Sequence, residues 1–288
     1  MTDGFWIILT GGLVAGTASI LGCFLILRKI SMVGDAISHA VLPGIVLAYL
    51  ISGSRASIPM LIGAVVIGIL TTVLIELLTK KAKMQSDASI GVSFTFLFAI
   101  GVILLSAFAG RVDLDQDCVL YGEIAFVSFE QFNGIPYSIY ILLPTFLIVL
   151  FSVLMGFKGL SVTTFDPVYA ASIGISTAFW HYFLMAAVSL TTVVSFESVG
   201  AILVVAFLVV PAATAYMLSN RLLPMLFISV FIGVVGSILG YYLAVLSNGS
   251  IAGSMTTVLG ILFFIALLFA PQQGIISKNW SRKIEKVH

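Results

Sequence analysis

The sequence predicts an all-α polytopic membrane protein of about nine transmembrane helices, N-terminus outside and C-terminus in the cytoplasm. Three observations carry this. Apolar residues make up 60% of the 288 and charged residues 9%, whereas a soluble domain carries roughly 25% charged residues. So little charge cannot dress a soluble surface, and the mean hydropathy of +1.21 agrees. A soluble globular protein, a disordered chain and a nucleic-acid binder are thereby excluded. Charges and turn residues then cut the chain into apolar windows long enough to cross a hydrocarbon core of ~30 Å. Finally, nine alternating spans put Arg28, Lys29, Lys80, Lys81, Lys83, Lys158, Arg221, Lys278, Arg282, Lys283 and Lys286 on one side, leaving Arg55 and Arg111 on the other. That split is the positive-inside pattern.

The windows are 5–27, 34–53, 58–78, 89–110, 135–157, 177–196, 198–218, 223–246 and 252–270. A short or broken helix would make the formal count eight. The first window follows no basic n-region and reads as a retained span rather than a cleaved signal. Cys23 lies inside it as a small core residue, and Gly12 and Gly16 are spaced for close helix contact. The second window is the least apolar, because it holds Asp35, His39 and Pro43. The third ends at Glu76, one turn before Lys80, which reads as an ion pair at the inner end. After the fourth comes an outer segment, 111–134, carrying Asp113, Asp115, Asp117, Cys118 and Glu123. The fifth stops at Lys158, and the longest inner connection, 158–176, follows. Trp180 and His181 open the sixth, Glu197 marks the outer junction with the seventh, and Gly236 and Gly240 are a second close-packing pair in the eighth. Residues 1–275 form a single transmembrane domain, and 276–288 are a basic cytoplasmic tail. Two cysteines give no disulfide framework.

Ionisable residues within a membrane span are costly and point to function. Asp35 and His39 are spaced i,i+4, so both project from one helical face. A carboxylate and an imidazole on one face are half of a divalent-cation site; a buried hydrogen bond that fixes packing and a proton relay are the alternatives. Pro43 and Gly44 predict a kink that frees backbone carbonyls beside the pair. No thiolate accompanies it, which fits a harder ion such as Mn²⁺, although imidazole also suits Zn²⁺ and Fe²⁺. The outer acids would concentrate cations at a mouth, or simply form a solvated loop. Glu197 fits either the head of the next helix, where negative charge is favoured, or an ion path.

In the inner connection Asp166-Pro167 is a helix start and Gly174 a helix end. The short helix between them, over Pro167–Ile173, is suited to docking a soluble partner. The sequence holds no G-x-x-x-x-G-K-[ST] loop, and no nucleophile elbow or zinc-protease motif. If the chain moves a solute uphill, the energy comes from a partner or from an ion gradient.

Three stretches, Gly34-Asp-Ala-Ile-Ser-His-Ala-Val-Leu-Pro-Gly44, Phe165-Asp-Pro-Val-Tyr-Ala170 through Gly174, and Ser198-Val-Gly-Ala-Ile-Leu-Val-Val-Ala-Phe-Leu-Val-Val-Pro-Ala-Ala-Thr214, resemble the membrane permeases of ATP-binding-cassette importers for manganese, zinc or iron, the ABC-3 family. The resemblance spans about residues 5 to 275. It implies a homodimer in a bacterial plasma membrane, a cytoplasmic ATPase dimer carrying the ATP and Mg²⁺, and an extracytoplasmic metal-binding protein. It implies no permanently bound cofactor, only a transported ion. It places Asp35 and His39 on the metal path and makes Phe165, Asp166, Pro167, Ala170 and Gly174 the segment that couples to the ATPase. Asp113, Asp115, Asp117, Glu123 and Glu197 become further ion-path candidates. The acidic outer segment is more similar to the manganese branch than to the zinc branch. A proton-coupled secondary carrier and a permease for an organic metal chelate are the rival transport readings.

Overall fold

A computed structural model describes residues 2–53, 57–108, 124–129, 131–132, 134–270 and 274. Helix α1 (Thr2–Leu27) is followed by α2 (Met32–Ala40), α3 (Leu42–Ser52), α4 (Ser57–Lys80) and α5 (Ser86–Phe108). A 3₁₀ turn (Ile124–Ser128) and a two-residue antiparallel pairing of Gln131–Phe132 with Ile135–Pro136 precede α6 (Tyr137–Phe165). Then come α7 (Pro167–Ser172), α8 (Thr177–Val199), α9 (Ala201–Leu218), α10 (Leu222–Ser247) and α11 (Ile251–Phe269). Counting α2 and α3 as one broken span, the described residues contain nine helical segments long and apolar enough to cross a membrane. The short helix α7 joins two of them.

Helix α1 is the axis of the bundle. Val14, Ala15, Ala18, Leu21, Phe24 and Leu25 are fully buried along it. Small residues let its neighbours approach: a Cβ on Gly22 would run into the Leu208 carbonyl of α9, and one on Gly11 into Ser237 of α10. In a bilayer this close packing replaces the hydrophobic drive that assembles soluble bundles. Gly240 likewise sits against the Met255 backbone, joining α10 to α11, whereas Gly12 has nothing within contact distance. The predicted pair Gly12 and Gly16 is therefore a contact only at Gly16, which faces the Phe146 ring. The outer faces stay apolar: Ile62, Ile103, Leu154, Phe231 and Phe264 are all exposed, as lipid-facing positions should be.

Two boundaries differ from the sequence reading. The fifth span does not stop at Lys158 but continues as helix to Phe165. Nothing between Lys158 and Phe165 breaks a helix, and Leu160 is fully buried in the core beyond that lysine. Glu197 lies in the last turn of α8 rather than at the head of the next helix, because Gly200, at φ +81°, ends α8 and α9 begins one residue later.

Candidate metal site and the short interspan helix

The second span is broken at Val41. Pro43 sits in the first turn of α3 and carries no N–H, so the His39 carbonyl loses the donor it would have had in a continuous helix. The chain recovers with Gly44 N–H and Ile45 N–H donating to the Val41 carbonyl at 2.9 and 3.2 Å. Two glycines make the break packable. A Cβ on Gly101 of α5 would come within 2.8 Å of Pro43 Cδ. Gly44 and Gly63 of α4 lie backbone to backbone, each blocking a side chain on the other.

Asp35 and His39 both belong to the short helix α2. His39 Nε2 lies 3.5 Å from Asp35 Oδ1, and the two side chains are about one-third exposed, at 36% and 35%. The His39 ring packs at 5.9 Å from the Phe94 ring of α5, which holds the imidazole on the Asp35 side. At 1.5 Å per residue, Asp35 stands roughly 5 Å and His39 roughly 11 Å from the start of the span. The pair is thus near one end of the span. No group of three or more His, Cys, Asp or Glu gathers among the described residues. Two donors leave a divalent cation short of a full shell.

The other sequence candidates fall differently. Asp113, Asp115, Asp117, Cys118 and Glu123 lie outside the described residues, as does the tail 276–288. Glu197 is helical in its backbone, and its side chain lies outside the described set. Glu76 does pair with Lys80, and it also accepts from the Tyr182 hydroxyl of α8. His181 and Glu76 line a small pocket of about 240 Å³ with Ile30, Val33 and Thr79. Neither Tyr182 nor this pocket was visible in the sequence, since their parts are more than a hundred residues apart.

Helix α7 begins where the Asp166 carboxylate Oδ1 accepts from Tyr169 N–H at 2.9 Å, a side-chain cap on an otherwise unpaired donor. Pro167 occupies its first turn and Gly174, at φ +82°, follows its end. Ala170 is fully buried, whereas Phe165, Val168, Tyr169 and Ile173 are exposed. Trp180 of α8 lies in a notch left by Gly156 and Gly159 of α6.

Residues 4–270 match the family model of the ABC 3 transport family. The chain belongs to that family. Among its relatives, it is 45% identical over 279 residues to the manganese transport system membrane protein MntD of Bacillus subtilis, covering 95% of this chain and 94% of that one. It is 42% identical over 280 residues to the zinc transport system membrane protein TroD of Treponema pallidum, covering 94% of this chain and 75% of that one. It is similar to the solved structure of PsaBC from Streptococcus pneumoniae in complex with Fab, with a TM-score of 0.78 and 34% identity over 93% of this chain and 92% of that one.

The Trp180 notch gives this ABC 3 chain a testable stability element. A Gly159→Leu side chain would meet the indole directly, and overpacking of this kind costs about 1–3 kcal/mol. Thermal unfolding in detergent is expected to fall by several degrees, roughly what that cost gives for a domain of this size. Adding Trp180→Ala should restore part of it. An unchanged midpoint in the single variant would mean the notch has room that the geometry denies.

Proposed function

We propose that this chain is the membrane-spanning permease subunit of an ATP-driven importer of divalent transition metals, with Mn²⁺ the preferred cargo, in a bacterial plasma membrane. The observation that carries it is the Asp35–His39 pair beside a helix break, within a nine-span chain of the ABC 3 family. The 45% identity to a manganese permease favours Mn²⁺ over Zn²⁺ and Fe²⁺, and carboxylate with imidazole but no thiolate suits the harder ion. The N-terminus lies outside and the basic tail inside, as the Lys/Arg split requires.

In this reading a second copy of the chain completes the pathway. Asp35 and His39 of each copy face a shared axis, and water fills the remaining coordination positions. The one-third exposure of both side chains within a single copy supports this. Asp113, Asp115, Asp117 and Glu123 collect cations at the outer mouth, where an extracytoplasmic binding protein delivers them, and Glu197 lies on the way in. ATP and Mg²⁺ sit on a cytoplasmic ATPase dimer. Phe165, Asp166, Pro167, Ala170 and Gly174 build the segment that couples it to the permease.

The test is radioactive Mn²⁺ uptake in cells whose only metal importer contains this chain, with Zn²⁺ and Fe²⁺ as competitors and with ATP depleted in parallel. Uptake is expected to require ATP and to be blocked best by unlabelled Mn²⁺. Metal binding requires ionised Asp35 and neutral His39, so acid opposes it. Dropping from pH 7.5 to 5.5 should therefore cut uptake. A proton-coupled carrier would do the reverse, running faster in external acid and independently of ATP. Better inhibition by Zn²⁺ would move the cargo to the zinc branch.

A further inference from the structure

We propose that Arg28 is a positioning residue that locks the metal-bearing helix α2 to the interspan helix α7, so that the two move as one body. This rests on the importer reading above. Arg28 is the first residue beyond α1, and its guanidinium spans to the far end of α6. Nε donates to Thr164 Oγ1 at 3.0 Å and Nη2 donates to Thr163 Oγ1 at 3.1 Å. Phe165 and the Asp166 cap of α7 follow those threonines directly. Thr163 is itself anchored by donating to the Gly159 carbonyl at 2.8 Å, beside the Trp180 notch.

On its other side Arg28 is joined to α2 by a stiff turn. Ile30 N–H donates to the Leu25 carbonyl at 3.0 Å and Lys29 N–H to the Ile26 carbonyl at 2.9 Å. This is the Schellman closure of a helix, with Lys29 held at φ +59° in the left-handed region. A lysine there tolerates a conformation that costs about 1–2 kcal/mol for a residue with a Cβ, so the turn is held by what surrounds it. Val33 N–H then donates to the Ile30 carbonyl at 3.1 Å, at the foot of α2. From Arg28 to Asp35 is seven residues, with no slack loop between them.

The bonds are not a salt bridge. No carboxylate is among the partners described for Arg28, and burial lowers its pKa from the ordinary value with no opposing charge to offset it. Two hydroxyls of adjacent residues on one helix are matched by a rigid planar fork, which a lysine cannot imitate. A half-buried guanidinium kept on two neutral acceptors fixes an orientation at a cost in desolvation. Such a cost makes sense where α1, α2 and the end of α6 must not slide past one another.

The experiment uses the complete transporter, permease with its ATPase and binding protein, in proteoliposomes. Mn²⁺ delivered per ATP hydrolysed is measured for wild type, Arg28→Lys and the double variant Thr163→Val, Thr164→Val. Both variants are expected to hydrolyse ATP near the wild-type rate yet deliver at least roughly tenfold less Mn²⁺ per ATP, the effect of losing one charge-assisted hydrogen bond from the working state in Arg28→Lys and two in the threonine pair. Retention of the wild-type ratio in both overturns the proposal. So does a fall in uptake and hydrolysis by the same factor together with a lower unfolding temperature, which is what a merely structural role would give. Should Arg28→Lys fail to accumulate, the threonine pair decides alone. A wild type with no ATP-dependent uptake instead overturns the importer reading itself, a result distinct from any variant's behaviour.

Discussion

Changing His39 to alanine is expected to lower ATP-driven Mn²⁺ uptake by roughly a hundredfold while the folded permease stays at its normal level in the membrane. The two halves of this expectation have separate physical grounds. As a structural element the pair is weak: a helical i,i+4 contact at 3.5 Å with both side chains one-third exposed is worth about 0.3–0.5 kcal/mol. Deleting it should barely shift thermal unfolding. As a metal site it is strong, because even second-shell partners of a ligand are worth about 10–100-fold in affinity or activity, and His39 is a direct donor in this reading. Asp35→Asn keeps the shape of the acid but removes its charge and turns one acceptor oxygen into a donor NH₂, so it should fail nearly as badly. Uptake and unfolding midpoint measured together on His39→Ala and Asp35→Asn separate the cases. Normal uptake in both would make the pair structural and move the ion path toward Glu197 and the outer aspartates.

The span pattern was legible because hydrocarbon thickness acts on local sequence. Twenty apolar residues between charges are a span wherever they pack, and the observed helices follow the nine windows to within a few residues at most ends. Lys158 ends an apolar window but not the helix, which continues as far as Phe165. The break in the second span falls at Val41, just before Pro43; the proline announced it, but not its position. At the candidate site the i,i+4 spacing of Asp35 and His39 was enough to put them on one face, since α-helical periodicity needs no tertiary information. What supports the pair was not legible. Phe94 against His39, Gly101 against Pro43 and Arg28 against Thr163 and Thr164 join residues far apart in sequence, and no local pattern encodes them. Arg28 in particular read only as one positive charge among the eleven that set orientation.

Changing Val168 to aspartate is expected to abolish capture of the ATPase, with ATP-driven uptake falling to background. Helix α7 has six residues, too few to be stable by itself. It is held by the Asp166 cap and by buried Ala170. Yet it turns its large apolar side chains outward: Val168 is 79% exposed and Phe165 60%. Exposed apolar surface on the lipid-facing helices is covered by acyl chains. Here the helix lies past the end of α6, on the basic side of the bundle, and a knob of Phe165, Val168, Tyr169 and Ile173 needs a protein to cover it. An aspartate at Val168 adds the cost of burying an unpaired charge, so co-purified ATPase should drop by well over tenfold. Asp166→Ala is the graded companion, since loss of the cap costs about 1 kcal/mol and should loosen coupling without ending it. Unfolding of Val168→Asp should stay near wild type, because that side chain is exposed, and Asp166→Ala should lose no more than its cap. If Val168→Asp retained stoichiometric ATPase and full uptake, the knob would belong to some other contact and coupling would have to run through a different surface.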